Sequence, residues 1–179
     1  MFQPLITELE IRRRTAQLAQ QVAADYRERE FVVVIVLKGA FVFASDLVRR
    51  MFDQGGTPEI DFIQAASYGK GDRSSGKVEI KHDVTIPLKG RDVIIVDDIV
   101  DSGRTMVQLR KHLAAKGAAS VRCCVLLDKP SRREVEFTPD YIGFEVPDQF
   151  VVGYGMDYGE RYRNLPFIST ISASDASRP

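Results

Sequence analysis

Apolar residues along this chain fall into short continuous runs separated by amphipathic stretches, as expected of buried strands alternating with helices. Residues 31–37, FVVVIVL, and 93–96, VIIV, are too short for isolated helices and rich in β-branched side chains. They predict strands buried on both faces, as in a parallel sheet. Residues 121–127 have the same texture. Ahead of that run, Met106, Leu109 and Leu113 recur at helical spacing, Lys111 and Lys116 suit a helix C-terminus, and Gly117 is placed to stop it. The span 93–127 is therefore a strand-helix-strand crossover, and ligands should gather at its carboxyl edge. Upstream, Thr7 and Glu10 have capping-box spacing, and Ile11, Thr15, Leu18 and Val22 carry a helical stripe through Tyr26. A second helix is expected over 40–52, strands over 58–66 and 78–84, and a turn over 87–92. From Tyr141 the texture changes. Residues 141–146 and 150–154 are short, aromatic and broken by glycine or proline, more like a small subdomain than another crossover. Residues 169–179, rich in serine and alanine without periodicity, read as a disordered tail.

The length of 179 residues suits one α/β domain with a full core. Lysine plus arginine and aspartate plus glutamate each total 25, so no global field favours nucleic acid or an anionic membrane, and any phosphate recognition must be local. The longest apolar run is far below the roughly 18 residues of a spanning helix, and no basic-then-apolar signal opens the chain, so a soluble cytoplasmic protein is expected. Cys123 and Cys124 are adjacent in an apolar run, which suits core packing rather than a disulfide or metal site.

Chemistry gathers where the strands stop. Asp97, Asp98 and Asp101 follow the 93–96 run, and Ser102, Gly103, Arg104 and Thr105 surround the next helix start. Backbone N–H groups at such a start bind phosphate, Gly103 permits close approach, and the acids can hold ribose hydroxyls or Mg²⁺, so the stretch suits a phosphorylated sugar. Lys38 and Gly39 follow the 31–37 run, as an anion site or an ordinary turn. Lys129 ends the 121–127 run on the same predicted edge. Residues 67–77, SYGKGDRSSGK, are a hairpin loop or a mobile cover over a charged substrate. His82 and His112 are isolated and take no catalytic role, and Arg12 to Arg14 suit a solvated helix face.

The stretch VIIVDDIVDSGRT closely resembles the phosphoribosyl-pyrophosphate signature of the type I phosphoribosyltransferases. VLKGA at 36–40 is similar to that family's pyrophosphate loop and SYG at 67–69 to the start of its lid. LLDKP at 126–130 and FVVGYGMDYGERYRNLP at 150–166 are similar to its purine-contacting segments, so the whole resembles the hypoxanthine (6-oxopurine) members. The resemblance implies a central, mostly parallel sheet flanked by helices, forming a single domain over 1–168. A small hood would come from the N-terminal segment and about 130–168, and the lid from 67–77, with Ser67 and Tyr68 at its start. It also implies that Asp97 and Asp98 hold ribose hydroxyls and Mg²⁺, that Asp101 faces N7 of the purine as catalytic acid or base, and that Asp101 to Thr105 cradle the 5′-phosphate. Lys38, Gly39 and Arg163 would meet pyrophosphate; Lys129, Phe150, Val151 and Asp157 would meet the purine, with Asp157 a further Mg²⁺ ligand. Asp97 departs from the commoner glutamate, and Arg104 from a frequent lysine. The family often has a cis peptide before the lysine of its pyrophosphate loop, here Leu37 to Lys38. The implied reaction joins a 6-oxopurine to phosphoribosyl pyrophosphate in purine salvage, in a homodimer or homotetramer. A nucleotide-sensing RNA- or DNA-binding regulator, or a xanthine-preferring transferase, are the competing readings.

Overall fold

The computed structural model describes residues 3–67 and 78–171. Its centre is the strand β2 (Phe31–Leu37), preceded by β1 (Pro4–Ile6) and helix α1 (Glu8–Asp25) and followed by α2 (Phe41–Phe52). Then come β3 (Glu59–Ser67), β4 (Val78–His82), β5 (Asp92–Val100), α3 (Arg104–Ala115) and β6 (Ser120–Asp128). A single 3-10 turn (Pro130–Arg132), β7 (Tyr141–Glu145), β8 (Val151–Val152) and β9 (Ile168–Thr170) complete the chain. The main sheet has the order β4-β3-β2-β5-β6-β7, parallel throughout except for the antiparallel β3–β4 pair. A small second sheet has the order β1-β9-β8 and so includes the N-terminal segment. Among the described residues no helix is long and apolar enough to cross a membrane.

Strand alternation divides the core. Val33, Ile35, Ile94 and Val96 point to the side packed by α1 and α2, whereas Val32, Val34, Val93 and Ile95 point to α3 through Met106, Leu109 and Leu113. Burying each of these side chains contributes about 1.5–3 kcal/mol, which is why the continuous apolar runs form central strands. Cys123 faces the α3 core and Cys124 the other, and burial pushes the Cys123 thiol up to about 11, as inert packing residues require. The capping box forms as expected: Thr7 Oγ1 accepts from Glu10 N–H at 3.3 Å, and Glu10 Oε2 accepts from Thr7 N–H at 2.8 Å.

Four expectations change. The strand over 93–96 continues through the acids to Val100, because parallel β6 pairs with its backbone from Asp92 to Val100 whatever the side chains are. Residues 141–145 are not part of a subdomain but join the main sheet beside β6, where Arg14 of α1 donates to the carbonyls of Ile142 and Gly143 at 2.6 and 2.8 Å. The strand expected over 78–84 ends at His82, since Asp61 draws the backbone away: its Oδ2 accepts from Thr85 and Ile86 N–H at 2.6 and 2.8 Å. The tail expected from 169 begins too early. Ser169 and Thr170 pair with β1 and β8, and Ser169 Oγ donates to Gln3 O at 2.7 Å, so backbone pairing orders a segment whose composition has little to bury. Residues 172–179 lie outside the described residues.

Candidate active site

Three parallel strands, β2, β5 and β6, end on one edge of the sheet and deliver Lys38, Asp97 to Asp101, and Lys129 there, as the crossover predicts. Two helices start at that edge. Unlike α1, neither α2 nor α3 has a side-chain hydrogen bond from its N-cap residue, Ala40 or Gly103. Apart from Phe41 N–H, bonded to Lys38 O at 3.3 Å, and Arg104 N–H, bonded to Ser102 Oγ, both present first-turn N–H groups and the positive end of a helix dipole to an anion.

The peptide Leu37–Lys38 is cis. Gly39, next in the chain, lies against Asp98: a Cβ added to it would stand 2.5 Å from Asp98 Cγ, and nearer still to Oδ2. Gly155, at φ +104°, lies in turn on the carbonyl of Gly39. Asp98, Gly39 and Gly155 are thus stacked without room for a methyl group. Asp98 donates its N–H to Asp97 Oδ1 at 3.0 Å, and Ile99 N–H donates to Asp98 Oδ1 at 3.0 Å. Burial pushes the Asp97 carboxyl well above the usual carboxylate range, and the charge of Asp98 adds to it. Asp98 is also raised by burial, with Arg163 opposing. Two adjacent carboxyls, one buried and one half-buried, whose charged forms are disfavoured in this way are stabilised by a nearby cation.

Beyond β5, Asp101 is half exposed and its Oδ1 lies 3.5 Å from Nζ of Lys129, whose side chain is only 7% exposed. Ser102 Oγ accepts from Arg104 N–H at 3.4 Å, and Gly103, at φ +80°, takes a left-handed conformation that leads into α3. Thr105 occupies the first turn of α3. The Arg104 side chain turns outward, with Nε 2.6 Å from Glu134 Oε2, so what it offers the loop is its backbone.

Arg163 and Lys38 come together across one acid. Arg163 donates to Gly155 O at 2.8 Å and pairs with Asp157 Oδ1 at 2.8 Å, while Glu160 Oε2 lies 3.2 Å from both Arg163 Nη2 and Lys38 Nζ. Asp157 Oδ2 also accepts from Glu160 N–H at 2.8 Å. Phe150 is 55% exposed, with Tyr158 edge-on at 5.6 Å, and Val151 is buried at the start of β8. Ser67 ends β3, paired with Val78; Tyr68 and the rest of the expected lid lie outside the described residues. The expected metal set of Asp97, Asp98 and Asp157 is not one cluster: among the described residues no three His, Cys, Asp or Glu groups converge as a cage. Asp97 and Asp98 are fixed within β5, whereas Asp157 is held in a separate turn by Arg163 and Glu160. His112, expected to be isolated, sits with Nε2 3.0 Å from Asp83, which also pairs with Lys116 at 2.8 Å, away from this edge.

Sequence reasoning missed Arg133 and Asp128. Their side chains form a buried ion pair, Arg133 Nη1 donates to Asp101 O at 2.6 Å, and the guanidinium lies 5.7 Å from the Phe137 ring centroid. Glu134 N–H donates to Ser102 O at 3.0 Å and Lys129 N–H to Val100 O at 2.9 Å, so the 128–134 segment braces the 100–103 loop. The charge pattern of DKPSRRE carries no periodicity that would distinguish this pair from solvated charges.

Known proteins resemble this arrangement along nearly the whole chain. The profile of the phosphoribosyl transferase domain matches residues 6–159. A hypoxanthine-guanine phosphoribosyltransferase of Aquifex aeolicus is 46% identical over 163 residues, covering 90% of each chain. The hypoxanthine phosphoribosyltransferase of Escherichia coli is 43% identical over 173 residues, covering 96% of each. Among solved structures, a hypoxanthine-guanine phosphoribosyltransferase of Bacillus anthracis superposes with a TM-score of 0.90 at 43% identity, covering 96% of this chain and 100% of that one.

Proposed function

This chain belongs to the phosphoribosyltransferase family, and from that premise we propose that it transfers the 5-phosphoribosyl group of phosphoribosyl pyrophosphate to hypoxanthine and guanine, giving the nucleoside 5′-monophosphate and pyrophosphate. One observation carries the reading: the buried Lys129 ammonium, 3.5 Å from Asp101, stands beside the uncapped start of α3. The α3 first turn, with Ser102, Gly103, Arg104 and Thr105, receives the 5′-phosphate through backbone N–H groups. Lys129 donates to the 6-oxo oxygen of the base. An adenine would oppose its amino donor to the same ammonium, so the site selects 6-oxopurines. Phe150 offers its exposed ring for stacking on the base, with Val151 at the base edge.

As the bond from C1 of the ribose to pyrophosphate lengthens, negative charge grows on the leaving group and positive charge on the sugar. Lys38 and Arg163 meet the former. The purine nitrogen attacks from the opposite face while Asp101 holds or takes the N7 proton. The donor set fits magnesium: Asp97 is buried, Asp98 beside it is half-buried, both are raised in pKa, and this cation takes one or two carboxylates with its remaining oxygens from water and substrate. Bound there, it would neutralise charge on the departing pyrophosphate.

Exposed apolar side chains support a homodimer. Phe41 and Phe52 are exposed on one stripe of α2, with Val48 half-buried between them, and Ile60 and Phe62 are exposed on the α2 side of β3; Phe52 is 72% exposed. Sedimentation of Phe62→Glu as a monomer where the parent is a dimer would support this face. For the activity itself, purified protein is incubated with Mg²⁺, phosphoribosyl pyrophosphate and hypoxanthine, guanine, xanthine or adenine in turn. Nucleotide should form from the first two, and its absence from every 6-oxopurine would refute the reading.

A further inference from the structure

The reaction outlined above gives no role to Glu160, yet its carboxylate occupies the place where an anion would sit. A single oxygen, Oε2, lies 3.2 Å from Lys38 Nζ and 3.2 Å from Arg163 Nη2, bridging a cation from the end of β2 and one from the loop after β8. Packing does not demand this position, because the Glu160 side chain is 65% exposed. The backbone aims it there. Glu160 adopts φ +65°, and its N–H is tied to Asp157 Oδ2 at 2.8 Å. Lys38, and after it Arg163, hold the Glu160 carboxyl below its usual range, so it is charged at neutral pH.

We propose that Glu160 is the resident counter-ion of the pyrophosphate site, displaced when phosphoribosyl pyrophosphate binds and returning to Lys38 and Arg163 as pyrophosphate leaves. The inference rests on the reading of Lys38 and Arg163 as the pyrophosphate cations. Pyrophosphate carries several negative charges against one on the carboxylate, so it wins the exchange when present. When it is absent, Glu160 stops two neighbouring cations from repelling each other apart. Arg163 keeps Gly155 O and Asp157 as partners throughout, so departure of Glu160 frees its inner face without releasing the side chain. Displacement subtracts from pyrophosphate affinity, and competition from the returning carboxylate speeds product release.

The test compares the parent protein with Glu160→Gln, Glu160→Gly and Lys38→Ala. Pyrophosphate, with Mg²⁺ present, is titrated by calorimetry, and its dissociation is followed by stopped flow. Exposed ion pairs are individually weak, so both Glu160 variants should bind pyrophosphate about threefold to tenfold more tightly, with dissociation slowed by a similar factor. Glycine adopts φ +65° without strain, so the second variant keeps the test valid if the first folds poorly. The KM for phosphoribosyl pyrophosphate should fall, while affinity for the product nucleotide alone stays the same. A purely structural Glu160 would not separate the two ligands. Unchanged or weaker pyrophosphate binding in both Glu160 variants, with Lys38→Ala still weakening it, overturns the counter-ion role and leaves the site reading standing. Pyrophosphate binding indifferent to Lys38→Ala overturns both.

Discussion

Replacing Gly39 with alanine inserts one methyl group between the cis peptide after β2 and the Asp98 carboxylate. The added carbon would stand 2.5 Å from Asp98 Cγ. An ordinary carbon–carbon separation is about 3.5 Å, so the carboxylate must withdraw by about 1 Å. It has little freedom to do so, because Asp98 is held within β5 and its Oδ1 accepts from Ile99 N–H at 3.0 Å. Overpacking of this kind costs about 1–3 kcal/mol of stability. A displacement of about 1 Å in a group that orients substrate costs about a hundredfold in rate, or about 2.7 kcal/mol in the barrier. Gly39→Ala should therefore lower kcat/KM for phosphoribosyl pyrophosphate by about a hundredfold and lower the Tm, read by initial rates of nucleotide formation and by calorimetry. The combination Gly39→Ala with Asp98→Ala removes the colliding atoms, so the Tm loss from Gly39→Ala should vanish in that background while activity stays low. A Gly39→Ala enzyme within threefold of the parent, or an equal Tm loss in both backgrounds, would refute the steric argument.

Asp101→Asn should fold normally by circular dichroism yet lose about a hundredfold or more in turnover, the range for a lost acid–base group; full turnover removes Asp101 from that role. Arg133→Met leaves Asp128 buried without its cation and should cost about 3–5 kcal/mol in urea unfolding, whereas adding Asp128→Leu should restore most of it. If the double variant is no more stable than the single, the pair is not the cause. For Asp61, burial alone would raise the carboxyl, but the N–H groups of Ile86, Phe62 and Thr85 hold it below its usual range. The folded state then binds its proton less readily than the unfolded state. The stability this supplies is present above a pH of about 4 and is lost as pH falls through the folded value. The stability gap between the parent and Asp61→Asn should be widest near neutrality and close in acid; a gap that does not change with pH would contradict this.

Much of the site was legible because phosphate chemistry needs particular residues at the ends of particular strands. Lys38, Asp101 and Lys129 each follow an apolar run, and three parallel strands bring such ends to one edge without further information. Boundaries were less legible. Nothing in DDIV marks it as strand until β6 lies beside it, and 141–145 resembles loose hood sequence until Arg14 and β6 claim its backbone. The braces around the site were invisible for a related reason. Asp128–Arg133 and Lys38–Glu160 depend on side chains meeting across loops, and their charges look in the sequence like those of any solvated turn. The resemblance implies that Asp157 is a further Mg²⁺ ligand, but nothing in its local sequence shows that Arg163, from the same loop, pairs with its carboxylate at 2.8 Å.

Asp128 ends β6 and Lys129 follows it, yet in the proposed reaction they would serve opposite halves. Asp128 anchors Arg133, which donates to the Asp101 carbonyl, while the Lys129 ammonium lies 3.5 Å from the Asp101 carboxylate, where the proposed reaction puts the base. A ligand that settles the 101–105 turn therefore also settles the residue next to the Lys129 ammonium. In the proposed site the two substrates would be linked through a single peptide unit: whatever factor the sugar phosphate added to base affinity, the base would return to the sugar phosphate. Ordered addition, with the base entering an already tightened pocket, is the kinetic form that linkage would take.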